Sequence, residues 1–218
     1  MTGRAGSGKS TTLVSLIEHL NRTRPKNVIT LEDPIEYEYT PRRCLIHQRE
    51  VGAQVESFAA GLRAALRESP DVILVGEMRD RETIAAALTA AETGHLVLST
   101  MHCASAASAV DRIIDVFPEH QQQQVRLQLS TTLRAVITQA LVPATTPPLR
   151  YPAYEKMMVT PPIAAMIRDG KVHQIPSVIQ TSRDDGMVPF DRTLAALVRA
   201  GKVSQAVARE YAASPSGL

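Results

Sequence analysis

Gly3-Arg4-Ala5-Gly6-Ser7-Gly8-Lys9-Ser10 is a complete G-x-x-x-x-G-K-[ST] phosphate loop, preceded only by Met1 and Thr2. Such a loop wraps backbone N–H groups around the β-phosphate of a nucleoside triphosphate, and its glycines let the main chain come that close. In this reading Lys9 reaches the β- and γ-phosphates and the Ser10 hydroxyl ligates Mg²⁺. Leu13, Ile17 and Leu20 follow at helical spacing, so a helix N-terminus points its dipole at the same anion. A Gly-Ser-rich surface loop would have the same composition but would not need a helix behind it. The chain is expected to bind ATP or GTP. A phosphate loop also joins a buried strand to a helix. With Met1 and Thr2 alone in front, that first core strand is expected to be missing, and the chain reads as the C-terminal piece of a longer protein.

Outward from the loop, strands and helices alternate. Val28-Ile29-Thr30-Leu31 reads as a strand that ends in the acidic cluster Glu32-Asp33-Pro34. Val72–Val75 is a continuous apolar run, as a parallel strand buried on both faces requires. Leu96–Leu98 reads as another buried strand, and Leu45–Gln48 is a weaker strand candidate. Between them, Ser57 caps a predicted helix carrying Phe58, Leu62, Ala65 and Leu66, and a second helix runs from about Arg81 to Thr93 and stops at Gly94. This alternation means an α/β fold with a mostly parallel sheet. Val125, Leu129, Leu133, Val136, Ile137 and Ala140 predict one long helix, which Pro143, Pro147 and Pro148 break. An extended piece over Tyr151–Met158 and helices near Ile163–Arg168, Phe190–Arg199 and Ser204–Tyr211 complete the chain, with Phe190, Leu194, Leu197 and Val198 read as core. The expected organisation is a core over residues 1–142 and a C-terminal extended and helical unit over 143–218.

The chain has 218 residues, 44% of them apolar, enough for one good core. A net charge of +2 makes no general case for nucleic acid; Arg42, Arg43 and Arg49 read as a solvated face or a local basic patch. Cys44 and Cys103 have no metal-ligand spacing, so neither a disulfide framework nor a zinc site is expected. No apolar run is long enough to span a bilayer and no signal peptide is visible, which predicts a cytoplasmic protein.

The polar candidates sit at strand ends, where open parallel sheets bind ligands. Glu77 follows Val72–Val75, the strand expected beside the phosphate loop, and a carboxylate there can polarise water for attack on the γ-phosphate. Gly76 stands where many P-loop proteins place a metal-holding Asp, so Glu77 acts alone or shares the metal with Glu32 and Asp33. The bland alternatives are an ion pair of Glu77 with Arg79 and an acidic turn before Pro34. His102, after Leu96–Thr100, is a candidate γ-phosphate sensor or an ordinary structural histidine.

Further stretches stand in a recognisable order: I-T-L-E-D-P-I-E-Y (29–37), Q-R-E-V-G (48–52), S-P-D-V-I-L-V-G-E-M-R-D (69–80), T-A-A-E-T-G-H-L-V (89–97), T-M-H (100–102) and D-R-I-I-D-V-F-P (111–118). With the phosphate loop they make the chain resemble the C-terminal ATPase domain of the secretion-type hexameric motors, most of all the type IV pilus retraction ATPases. The resemblance covers nearly the whole chain. It implies a RecA-like P-loop NTPase core, ATP and Mg²⁺ as cofactors, and a homo-hexamer working on an inner-membrane platform protein at the cytoplasmic base of a pilus. It implies nucleotide contacts from Gly3, Gly6, Ser7, Gly8, Lys9, Ser10 and Thr11, metal contacts from Ser10 and Asp33, and catalytic roles for Glu77, Glu32 and His102. Ser69–Asp80 is then the Walker B region and Ile29–Tyr37 the aspartate box.

The departures are the absent N-terminal domain with its arginines, Thr100-Met101-His102-Cys103 for the usual T-L-H-T, and Pro162–Arg168 where retraction motors resemble A-I-R-N-L-I-R. Assembly and secretion ATPases, the alternative in this class, usually carry a four-cysteine metal module, which two cysteines cannot form. A catalytically weak ring or partner-binding subunit is the alternative outside it. Expressed alone, the chain is expected to be a poor motor that upstream sequence rescues, because the strand feeding the loop is missing.

Overall fold

The computed structural model describes residues 1–213. The chain forms two compact units: Ser10–Met101, and a discontinuous unit of Met1–Lys9 with the chain from His102 onward. This division does not follow Pro143, which closes a strand whose ladder partner lies beyond it.

Helix α1 (Lys9–Thr23) starts within the phosphate loop, as the motif requires. The Ser10–Met101 unit is built on a parallel sheet of β1 (Asn27–Glu32), β2 (Leu45–Glu50), β3 (Val72–Val75) and β4 (Leu96–Ser99), in the order β2-β1-β3-β4. Val28–Leu31 and Val72–Val75 are buried throughout, but Leu96–Leu98, expected to be buried as well, lies in the edge strand β4 with Leu96 exposed and Val97 and Leu98 only half-buried. Ile29, Leu31, Ile73 and Val75 share a core with Leu62 and Ala65 of α2 (Phe58–Ala65) and Ala87 and Ala90 of α3 (Arg81–Glu92). The Ser57 hydroxyl caps α2 by accepting the Ala60 N–H at 3.1 Å. Gly94, at φ +95°, follows α3 in a conformation that a side chain rarely adopts.

One expectation about the sheet is corrected. Both edges of β3 are occupied, by β1 and β4, so the strand leading to Glu77 does not pair with the residues that enter the phosphate loop. Thr2 pairs instead in parallel with Thr138 of the discontinuous unit. Its N–H donates to the Ile137 carbonyl at 2.8 Å, and its carbonyl accepts the Gln139 N–H at 2.9 Å.

The long helix predicted through Ala140 is a helix followed by a strand. After α4 (Ala106–Asp115), which the sequence reading did not foresee, α5 (Glu119–Thr132) ends at Thr132 and β5 (Ala135–Pro143) begins. Val136-Ile137-Thr138 is a β-branched run that fits a pleated strand better than a helix. β5 also gains an antiparallel partner in β6 (Arg150–Met158). The rest is α6 (Pro161–Arg168), the unforeseen α7 (Ile175–Thr181), α8 (Phe190–Arg199) and α9 (Gln205–Tyr211). Phe190, Leu194, Leu197 and Val198 pack with Val142, Ala153, Val203 and Ala208, the core role expected of them.

Candidate nucleotide site

The phosphate loop leaves Thr2 and turns into α1 within a few residues. Gly3, Gly6 and Gly8 have φ of +144°, +71° and +84°, so the loop is drawn through backbone states that L side chains avoid. A Cβ on Gly3 would lie 2.3 Å from the Gln139 carbonyl oxygen, whereas one on Gly6 would meet nothing within 4 Å. The loop is therefore packed hard at its entry and open at its crown. The Lys9 ammonium donates to the Gly3 and Arg4 carbonyls at 2.9 and 3.1 Å, and the side chain is buried. The Ser7 hydroxyl oxygen is buried without a hydrogen-bond partner. A cation folded against the loop, an open crown and the first amides of a helix, which lack intrahelical acceptors, fit a polyphosphate.

In the Ser10–Met101 unit, polar groups collect at the C-terminal edge of the sheet. The parallel register sets Thr30 against Gln48, and Glu32 lies two residues beyond Thr30 on the same strand face. Glu32 Oε1 accepts from the Thr30 hydroxyl at 2.6 Å and from Gln48 Nε2 at 3.1 Å. Gln48 also donates to the Tyr37 carbonyl at 2.8 Å and accepts the Tyr39 N–H at 2.9 Å, so it ties the carboxylate to the segment after it. Asp33, one residue on, is exposed.

Gly76 N–H donates to the Leu31 carbonyl at 2.8 Å, and the Thr100 hydroxyl donates to the Gly76 carbonyl at 2.7 Å. Glu77 is thus carried on a turn braced by both neighbouring strand ends. Its carboxylate pairs with Arg79 Nε at 2.7 Å; the Arg79 side chain is 72% exposed against 18% for Glu77. The ion pair weighed as the bland alternative is present. A neighbour so exposed contributes at most about 1 kcal/mol and does not commit Glu77 to a structural role.

Of the residues singled out from sequence, Glu32, Asp33, Glu77, Ser10 and Thr11 belong to the Ser10–Met101 unit. Gly3, Gly6, Ser7, Gly8, Lys9 and His102 belong to the other. His102 is exposed, and the backbone beside it is fixed: the Thr2 hydroxyl donates to the Cys103 carbonyl at 2.9 Å and accepts the Cys103 N–H at 2.8 Å. Arg49 forms a two-pronged pair with Glu68, so Arg42, Arg43 and Arg49 are not one unpaired patch. Both cysteines are free thiols. Among the described residues no cluster of three or more His, Cys, Asp or Glu could hold a metal ion.

Thr2 and Gln139 carry no motif, yet they bond to each other where the chain enters the loop. Gln139 Nε2 donates to the Ser7 carbonyl at 2.8 Å. The one available signal was a buried amide inside the apolar run Val136–Val142.

Residues 1–183 match the family model described as "Type II/IV secretion system protein". The chain is 50% identical over 203 residues to "Uncharacterized protein YggR" of Escherichia coli, covering 93% of the chain and 62% of that protein. It is 49% identical over 218 residues to the "Type IV pilus retractation ATPase PilT" of Pseudomonas aeruginosa, covering 100% of the chain and 63% of that protein. A solved structure described as "Crystal Structure of the Pilus Retraction Motor PilT and Bound ADP" superposes with a TM-score of 0.91 at 45% identity, over 100% of the chain and 61% of its own. The chain therefore spans about three fifths of the length of these relatives.

Proposed function

The chain belongs to the Type II/IV secretion system protein family, and from that premise we propose that it is the ATP-hydrolysing part of a motor that retracts type IV pili and so powers twitching motility. The observation that carries the reading is the built phosphate loop, with Lys9 folded onto the Gly3 and Arg4 carbonyls at the head of α1. The direction of force rests on the likeness to a retraction ATPase and a retraction motor across the whole chain.

ATP would supply the phosphoanhydride whose hydrolysis drives the work. Lys9 would exchange its carbonyl acceptors for phosphate oxygens. Ser10 would complete the coordination of Mg²⁺ brought in with the phosphates, with the exposed Asp33 as the second candidate. Glu77 is the general base that takes a proton from water on its carboxylate, Glu32 its electrostatic companion, and His102 the γ-phosphate sensor. The working form is a homo-hexamer on an inner-membrane platform protein at the cytoplasmic face. No described helix is long and apolar enough to cross a membrane.

Titration with a fluorescent ATP analogue, followed by phosphate release with and without Mg²⁺, tests this. Lys9→Ala should abolish binding and turnover. Glu77→Gln should bind normally and hydrolyse about a hundredfold more slowly, the scale of a general base. A wild-type chain that takes up no ATP overturns the reading.

A further inference from the structure

We propose that Gln139 of β5 is the positioning residue that gives the phosphate loop its binding shape, an inference that rests on reading the loop as an ATP site. One residue holds the loop at two points. Its backbone N–H donates to the Thr2 carbonyl at 2.9 Å, where the chain enters the loop. Its side-chain Nε2 donates to the Ser7 carbonyl at 2.8 Å, just before the Gly8-Lys9 turn into α1. Gln139 is 7% exposed and Ser7 5%, so the side-chain bond is made away from water.

The glycines show how close this contact is. A Cβ on Gly3 would fall 2.3 Å from the Gln139 carbonyl oxygen, and one on Gly8 would fall 2.9 Å from its Nε2. The Gly3 approach is to the backbone of β5, and the Gly8 approach is to the Gln139 amide itself, so a side chain at position 8 would push that amide aside. The chemistry of the contact matters too. The amide donates to a carbonyl, so this bond draws the Ser7 C=O toward the strand and uses none of the loop's own N–H groups, which a phosphate needs. A neutral donor is the group that can do this beneath an anion site. A carboxylate would repel both the Ser7 carbonyl and the ligand.

The test uses the whole chain and compares wild type, Gln139→Leu and Gln139→Glu by titration with a fluorescent ATP analogue between about pH 5 and pH 8. Gln139→Leu should weaken binding about tenfold at every pH, the scale of one lost hydrogen bond. Gln139→Glu should bind more weakly still near neutrality and recover relative to wild type as pH falls, because a protonated carboxyl can donate to the Ser7 carbonyl as the amide does. That pH-dependent rescue separates positioning from packing, and it is read even if Gln139→Leu fails to fold. Wild-type affinity in both variants, or a Gln139→Glu defect that pH does not relieve, overturns the proposal while leaving the ATP-site reading standing. A wild type that binds no nucleotide overturns both.

Discussion

Glu32 shows how a single side chain is prepared. Thr30 and Gln48 both donate to one of its oxygens, Oε1, and Gln48 carries the backbone of Tyr37 and Tyr39 as well. Gln48→Met should leave ATP affinity close to wild type and lower turnover severalfold, measured as separate KM and kcat; an unchanged kcat would make Gln48 merely a loop anchor. Glu155 carries a prediction about pH. Burial first holds its carboxyl above the ordinary 4.5, against the Ala106 N–H that it accepts at 2.8 Å. A raised carboxyl pKa favours the protonated folded state, so this stabilisation is full below about 4.5 and is lost as pH rises through the folded value. Glu155→Gln should remove that decline, giving a flatter dependence of unfolding free energy on pH above about 4.5 in urea titrations. At this scale legibility follows sequence distance. Lys9 announces itself because the Gly3 and Arg4 carbonyls that it meets are local, whereas Gln139 meets Ser7 across 132 positions and leaves no local pattern.

At the scale of elements, ends are set by caps and interiors by burial. Asp80 accepts both the Thr83 N–H and the Thr83 hydroxyl at 2.8 Å, fixing the start of α3 three residues after Glu77. Asp80→Ala should cost about 1 kcal/mol of stability, the usual worth of an N-cap, as read from chemical denaturation. A larger loss of turnover than of stability would show that the cap also steadies the Glu77 turn. β3 was legible because a strand covered on both faces demands an unbroken apolar run, and β1 because Thr30 alone interrupts its run; β4, expected to be buried in the same way, is an edge strand with Leu96 exposed. β5 was misread because Val136, Ile137 and Ala140 continue the helical spacing of Val125 and Leu129, and period alone cannot separate a short apolar strand from a helix. α4 was missed although Ser105 and Ser108 build a reciprocal capping box at its start, since serines rather than the expected Ser–Glu pair do the work.

In the whole molecule each unit has its own core, and a cavity in one should be costly. Leu62 is fully buried with Leu31, Ile73 and Val75, so Leu62→Ala should lower the stability of the Ser10–Met101 unit by about 2–5 kcal/mol in denaturant titrations. A loss under about 1 kcal/mol would mean that the site collapses freely around the missing atoms. The α/β class was legible from runs and motifs, but the discontinuous unit was not, because contacts such as Thr2 with Ile137 and Cys103 and Ser7 with Gln139 span more than a hundred positions. That arrangement has a consequence for birth rather than for work. A ribosome adds about 5–20 residues per second, so with 132 residues between Ser7 and Gln139 the nascent loop waits roughly 7–26 s for the strand that shapes it. Through that interval the motif is already translated but still without the strand that holds the Ser7 carbonyl.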